Sequence, residues 1–162
     1  MTLVLNRIDD RLIHGQVVVG WGQPLDVQFI VLVDDAVAES DWEQDLYRMG
    51  VPPEMDVRFH STAEAAPLLD RYRTETRPGI LLTGDIATMR QLVEHGGVRD
   101  VNVGGIHHRA GRTQHLRYVF LTPEEASALR ELAALGAVVT AQDVPAARAV
   151  PLDELLDSRE GR

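Results

Sequence analysis

Gln28-Phe29-Ile30-Val31-Leu32-Val33-Asp34 places five apolar residues in a row between two polar ones. A half-buried strand alternates apolar and polar residues, so an unbroken run of this length marks a strand covered on both faces. Strands of that kind belong to parallel sheets, whose crossover helices pack on each side. Gly79-Ile80-Leu81-Leu82-Thr83 repeats the pattern. Further strands are read at Leu3–Ile8, Met55–His60, Val101–Val103, Tyr118–Leu121 and Ala137–Ala141.

Helix-length segments fill the spaces between these runs. One helix starts near His14-Gly15 and runs through Val17-Val18-Val19 towards Gly22, ahead of Pro24. Gly20 and Gly22 weaken it by about 1 kcal/mol each relative to alanine, so its end is expected to be irregular. Ala36–Met49 reads as a single helix, stopped by Gly50 and Pro52-Pro53. Ser61 or Thr62 caps the next helix, with Glu64 placed to complete a capping box. Asp85 caps Ile86–His95, and Thr122-Pro123-Glu124-Glu125 supplies an N-cap, a first-turn proline and an N3 glutamate to a helix ending at Gly136. The expected fold is α/β: an open, mostly parallel twisted sheet of about seven strands with helices on both faces. Residues 1–162 form one domain in this reading. Pro145–Arg162 reads as a tail, with a short amphipathic turn at Leu152–Leu156 and residues 151–162 as its last part.

Composition narrows the chemistry. The chain has 162 residues and no cysteine, which excludes disulfides, thiolate metal sites and a cysteine nucleophile. Its net charge of −9 disfavours sequence-independent nucleic-acid binding and docking on anionic lipid. All 16 basic residues are arginine, so Schiff-base chemistry and a P-loop lysine are excluded. No apolar run approaches the roughly 20 residues that span a bilayer. The start of the chain lacks a basic segment ahead of an apolar one, so no signal peptide is expected and the location is read as cytoplasmic.

In an open α/β sheet, ligands gather at the carboxyl ends of the strands. The segment leaving the first strand there reads Arg7-Ile8-Asp9-Asp10-Arg11-Leu12-Ile13-His14-Gly15-Gln16-Val17. It crowds two arginines, two aspartates, a histidine, a glycine and a glutamine into ten positions, poor material for a core. These residue types suit a histidine that takes and releases phosphate. Neutral imidazole is a nucleophile near pH 7, its ordinary pKa being about 6.5. Gly15 lets backbone N–H groups approach phosphoryl oxygens, and Arg11 can pair with them bidentately. Arg7 either does the same or braces the loop through an aspartate, and either Asp9 or Asp10 fixes the ring tautomer. Such a transfer needs positioning and charge neutralisation, with no metal or cofactor. An Asp-Asp-Arg run and a histidine opening a helix also occur as plain turn and capping residues.

The eleven-residue string Arg7–Val17 resembles the active-site signature of IIB components of the mannose/fructose/sorbose family of bacterial phosphotransferase systems. Val33-Asp34-Asp35, Asn102-Val103-Gly104-Gly105, Gly111-Arg112, Leu121-Thr122 and Gln142-Asp143-Val144-Pro145 resemble later family segments in the same order. The resemblance implies that His14 is the phosphorylated residue, through Nδ1. It would accept the group from a phosphohistidine on a IIA protein and pass it to a sugar entering through membrane IIC/IID components. The chain would then be a phosphotransferase that is cytoplasmic and peripherally associated with the permease, a monomer or weak homodimer with no nucleic-acid partner. An alternative is a regulatory module of the same fold that reports phosphorylation state without transport; neighbouring IIC and IID genes favour the first. The sequence departs from the family at Val18-Val19-Gly20-Trp21-Gly22 and at Thr83-Gly84-Asp85, close to the partner surface.

Other polar residues receive structural roles. His107-His108 and His115 lie in a stretch without acidic residues, read as a polar loop with Arg109, Arg112 and Arg117 rather than a metal site. That loop can bring positive charge to the phosphate or to a partner, with Arg112 its best candidate. Gly104 or Gly105 is expected at positive φ in a tight turn. Trp21 and Trp42 are read as core or partner-surface residues.

Overall fold

The computed structural model describes residues 2–157. In chain order the elements begin with β1 (Leu3–Ile8), a six-residue π-helix (Gln16–Trp21), β2 (Phe29–Val33), α1 (Asp35–Ala38), α2 (Asp41–Met49) and β3 (Asp56–His60). There follow α3 (Thr62–Arg73), β4 (Gly79–Thr83), α4 (Ile86–Gly96), β5 (Asp100–Val103), β6 (Thr113–Leu116) and β7 (Val119–Leu121). The last are α5 (Pro123–Ala134), β8 (Val138–Ala141), β9 (Val150–Pro151) and α6 (Leu152–Asp157).

The main sheet runs β3-β2-β4-β1-β5-β8-β9, parallel throughout except that β9 is antiparallel to β8. β2 has the double burial its sequence demands, and its side chains divide with strand periodicity. Phe29, Val31 and Val33 enter the core beneath α3, α4 and α5, while Ile30 and Leu32 enter the opposite core with Leu12, Val17 and Trp21. β1 is central, flanked by β4 and β5. The chain winds outward from it through β2 on one side and β5 on the other, so the carboxyl end of β1 is the switch point where such sheets hold ligands.

Four expectations are corrected. Residues 36–49 form two helices, because Asp34 caps the first by accepting from Val37 N and Ser40 caps the second by accepting from Glu43 N. Val119–Leu121 does not join the main sheet; it pairs antiparallel with Thr113–Leu116 in a hairpin, burying Val119 and Leu121. The seventh strand is Val150–Pro151, inside the segment read as a tail. Helix α6 after it buries Leu155 and Leu156, so described residues 151–157 are packed structure. Finally, the helix after His14 is wide along its whole length, with Gly22 N donating to Val17 O at 2.8 Å. A Cβ at Gly22 would sit 2.2 Å from the Val18 carbonyl oxygen, an approach only glycine permits.

The remaining caps follow the sequence. Ser61 and Thr122 each form a complete capping box, with Glu64 and Glu125 respectively, and Asp85 caps α4 by accepting from Thr88 N.

Candidate functional site

Beyond Ile8 the chain is pinned to both neighbouring strand ends: Asp9 N donates to Thr83 O at 2.9 Å and Asp10 N to Gly105 O at 2.8 Å. Leu12 N then turns back on Asp9 O at 3.0 Å, which forces Leu12 to φ 60°, a left-handed conformation costly for a side chain other than glycine. Burial of Leu12 and Ile13 in the core beneath the π-helix offsets that cost. The turn delivers His14 to the head of the helix, where its carbonyl accepts from Val17 and Val18 N–H.

His14 Nε2 lies 3.1 Å from Asp9 Oδ1, and Nδ1 accepts from Val17 N at 3.4 Å. A carboxylate can only accept, so the ring proton belongs on Nε2 and the lone pair on Nδ1. Asp9 is fully buried and also accepts from Arg11 N at 3.2 Å, Gly105 N at 3.4 Å and Arg7 Nη2 at 3.4 Å. Burial alone would raise the pKa of Asp9; the hydrogen bond and charge of His14, with the charge of Arg7, hold it below the ordinary aspartate value.

Arg7 is fully buried and braces the loop. Its Nη1 donates to Asn102 Oδ1 at 2.5 Å and Gln142 O at 2.8 Å, and its Nη2 to Asp143 O at 3.2 Å. The guanidinium lies 5.0 Å from the centre of the Trp21 ring, and Trp21 Nε1 donates to Asp143 O at 3.1 Å. Burial lowers the pKa of Arg7 and the charges of Asp9 and Asp143 oppose the shift, leaving the group cationic. Of the two sequence alternatives, bracing through an aspartate is the one the geometry has.

The structure separates the other candidates. Asp9, not Asp10, meets His14; the Asp10 carboxylate takes His107 Nδ1 at 2.5 Å and His107 N at 2.7 Å. Arg11 is half-exposed at the rim, donating to Gln16 Oε1 at 3.2 Å with its Nε 3.9 Å from Asp9. Gln16 Nε2 donates to Asp143 Oδ1 at 2.8 Å. Gly15 adopts helical dihedrals and a Cβ there would meet nothing within 4 Å, so open space lies above it. Arg112 grips Glu125 with two donors, at 2.9 and 2.8 Å, and gives a third to His107 O at 2.7 Å. Its charge is thus spent within the protein.

Gly104 and Gly105 are not at positive φ. A Cβ on Gly104 would lie 2.4 Å from the Arg7 guanidinium, so this glycine makes room for a buried arginine rather than a turn. Sequence reasoning assigned no role to Asn102, Gln142 and Asp143. Their signal was polar residues ending β5 and following β8, beside the strand that carries the histidine loop. A hollow of about 810 Å³ lies elsewhere, between α3 and α4 near Asp35, Thr62, Thr88 and His95. His14 itself is partly buried, with its side chain 18% exposed.

A family model described as "PTS system sorbose subfamily IIB component" matches residues 3–162. The N-acetylgalactosamine-specific phosphotransferase enzyme IIB component 1 of Escherichia coli is 34% identical over 147 residues, covering 88% of this chain and 91% of that protein. The sorbose-specific EIIB component of Klebsiella pneumoniae is 37% identical over 141 residues, 84% of each chain. The crystal structure of the IIB domain of the Klebsiella pneumoniae sorbose permease superposes with a TM-score of 0.86 at 30% identity, over 99% of both chains.

Proposed function

The chain belongs to the sorbose-subfamily IIB components of the phosphotransferase system, and from that premise we propose that His14 carries the phosphoryl group. The observation that carries the reading is the 3.1 Å contact between His14 Nε2 and Asp9 Oδ1, which leaves Nδ1 as the nucleophile. The Nδ1 lone pair forms the new N–P bond as the bond to the donor imidazole breaks, its electrons remaining with the donor nitrogen. Nε2 keeps its proton. The ring therefore gains positive charge in the step, and buried Asp9 faces it in a water-poor setting where that attraction counts most. Arg7 holds Asp9 in place through the Asn102 and residue 142–143 contacts. Arg11, exposed at the rim, is the cation available to the phosphoryl oxygens, with Gln16 holding its side chain. The Val17 N–H now directed at Nδ1 passes to a phosphoryl oxygen once that nitrogen is substituted.

The donor is a IIA phosphohistidine and the acceptor a sugar entering through membrane IIC/IID components; a mannose-specific EIIAB relative joins IIA to IIB in one chain. No helix among the described residues is long and apolar enough to cross a membrane, and association with the permease is peripheral in this reading. The test is transfer from a phosphorylated IIA protein to wild type and to His14→Ala. Acid-labile, base-stable label on the wild type alone supports the assignment. Equal labelling of the variant would move the site elsewhere.

A further inference from the structure

We infer that the outward face of α2 is the surface by which this protein docks on its membrane permease, against a basic segment that carries apolar side chains. The inference rests on the phosphocarrier reading of His14, which requires a second partner after the donor. Trp42, Leu46 and Met49 stand at i, i+4 and i+7 and so share one face of α2. They are 69%, 56% and 82% exposed. Among the described residues the other exposed large apolar side chains, Val4, Val19, Leu135 and Val138, are single and sit on separate segments.

An amphipathic helix ordinarily turns such a stripe towards the core. α2 is held to the domain by other residues instead. Tyr47 packs against the core beneath the π-helix, its ring 6.5 Å from that of Phe59. Gln44 Nε2 donates to the carbonyl oxygens of Val37 and Ala38 at 3.0 and 3.2 Å. The helix is thus fixed from behind, and its apolar stripe is left facing outward. It begins beyond the carboxyl end of β2, the end of the sheet at which His14 stands, and lies on the sheet face that carries the π-helix.

The charge beside the stripe sets the partner's chemistry. Asp45 is three positions after Trp42 and four before Met49, and Glu43 is three before Leu46, so carboxylates flank the apolar side chains on both sides. The one arginine of α2, Arg48, is drawn to Asp45 at 3.5 Å and over the Phe59 ring, 4.9 Å from its centre. A second copy of this chain would set these carboxylates against themselves across a two-fold axis, and three side chains fall far short of the roughly 800 Å² per partner of a stable interface. An anionic lipid surface is repelled by the same groups. Cytoplasmic segments of membrane proteins carry an excess of lysine and arginine, which the carboxylates complement. The rim of the histidine loop has the opposite charge, with Arg11 and Arg117 exposed, and suits the phosphorylated donor. Two partners met in turn are thereby sorted by charge, and a carrier that must release each of them needs only a small apolar anchor.

The experiment is sugar phosphorylation by vesicles holding the cognate IIC/IID complex, with the IIA-phosphorylated carrier as the varied substrate. Wild type is compared with Trp42→Gln/Leu46→Gln/Met49→Gln and with Asp45→Lys. Glutamine keeps the helix propensity and the three positions are exposed, so both variants are expected to fold and to take label from IIA at the wild-type rate. The triple variant is expected to raise KM for the carrier about tenfold with kcat little changed. Asp45→Lys raises KM about threefold at low salt, and the difference closes at about 500 mM salt. An unchanged KM in the triple variant would overturn the inference, and an unchanged KM in Asp45→Lys would overturn the basic partner. Slower labelling of the triple variant by IIA would give this face to the donor. Wild type that sediments with empty vesicles of phosphatidylcholine and phosphatidylglycerol would give it to lipid, and a wild-type dimer lost in the triple variant would give it to a second copy. Each of these three results overturns the assignment. A wild type that takes no label from IIA would instead sink the phosphocarrier reading itself, and this inference with it.

Discussion

Asp9 has two jobs that pull on the same carboxylate: it neutralises a buried arginine and orients an imidazole. Removing the charge leaves Arg7 uncompensated in the interior, so Asp9→Asn is expected to lower stability by about 3 kcal/mol at neutral pH, read by denaturant unfolding. The pH dependence follows from the lowered pKa of Asp9. A carboxylate depressed in the folded state contributes stability above its ordinary value, near 3.8, and loses it as pH falls through the folded value. The gap between wild type and Asp9→Asn should therefore narrow below about pH 4; a gap that widens there would refute the pairing. Gly104 belongs to the same cluster. Gly104→Ala drives a methyl into the Arg7 guanidinium and is expected to cost about 1–3 kcal/mol, with slower phosphoryl transfer as Asp9 shifts. A fully stable, fully active Gly104→Ala protein would contradict the account of that glycine.

Elements were legible where burial and periodicity agreed. β2 and β4 were read from their unbroken apolar runs, and α5 from Thr122-Pro123-Glu124-Glu125. β9 was missed because two residues carry no period, and its partner strand lies across a turn that local sequence does not announce. The hairpin strands were misassigned because Val119–Leu121 is apolar enough for a central strand, while its pairing with polar Thr113–Leu116 is a tertiary fact. The break at Ser40 depends on a cap inside an otherwise helical pattern. In the site, the Arg7–Val17 string pointed to the residues that gather at the strand end, but which aspartate meets which histidine is decided by backbone bonds to Thr83 and Gly105, 74 and 95 positions away. The α6 assignment is testable at this scale. Leu155 is fully buried, so Leu155→Ala is expected to cost about 2–5 kcal/mol in denaturant or thermal unfolding, whereas a residue in a loose tail would cost almost nothing.

The whole molecule places its most polar loop at the carboxyl end of the central strand, which pairs along its length with β4 on one side and through Arg7 and Ile8 with β5 on the other. The protein is acidic overall, yet Arg11, Arg109 and Arg117 lie around the histidine loop or the hairpin beside it. A phosphorylated partner would meet a locally basic rim on an acidic body. Transfer from phosphorylated IIA should therefore slow several-fold as salt rises from about 50 to 500 mM, because exposed charges steer the encounter and are screened. A rate independent of salt would remove electrostatic steering from the account.

In the proposed transfer, Asp9 reserves Nε2 and leaves Nδ1 of His14 as the nucleophile. Long-range proton–nitrogen correlation spectra of the ¹⁵N-labelled phosphoprotein test it directly. The expected result is one modified histidine, His14, phosphorylated at Nδ1 with Nε2 still protonated. Phosphate on Nε2 of His14, or on another of the histidines, would contradict it.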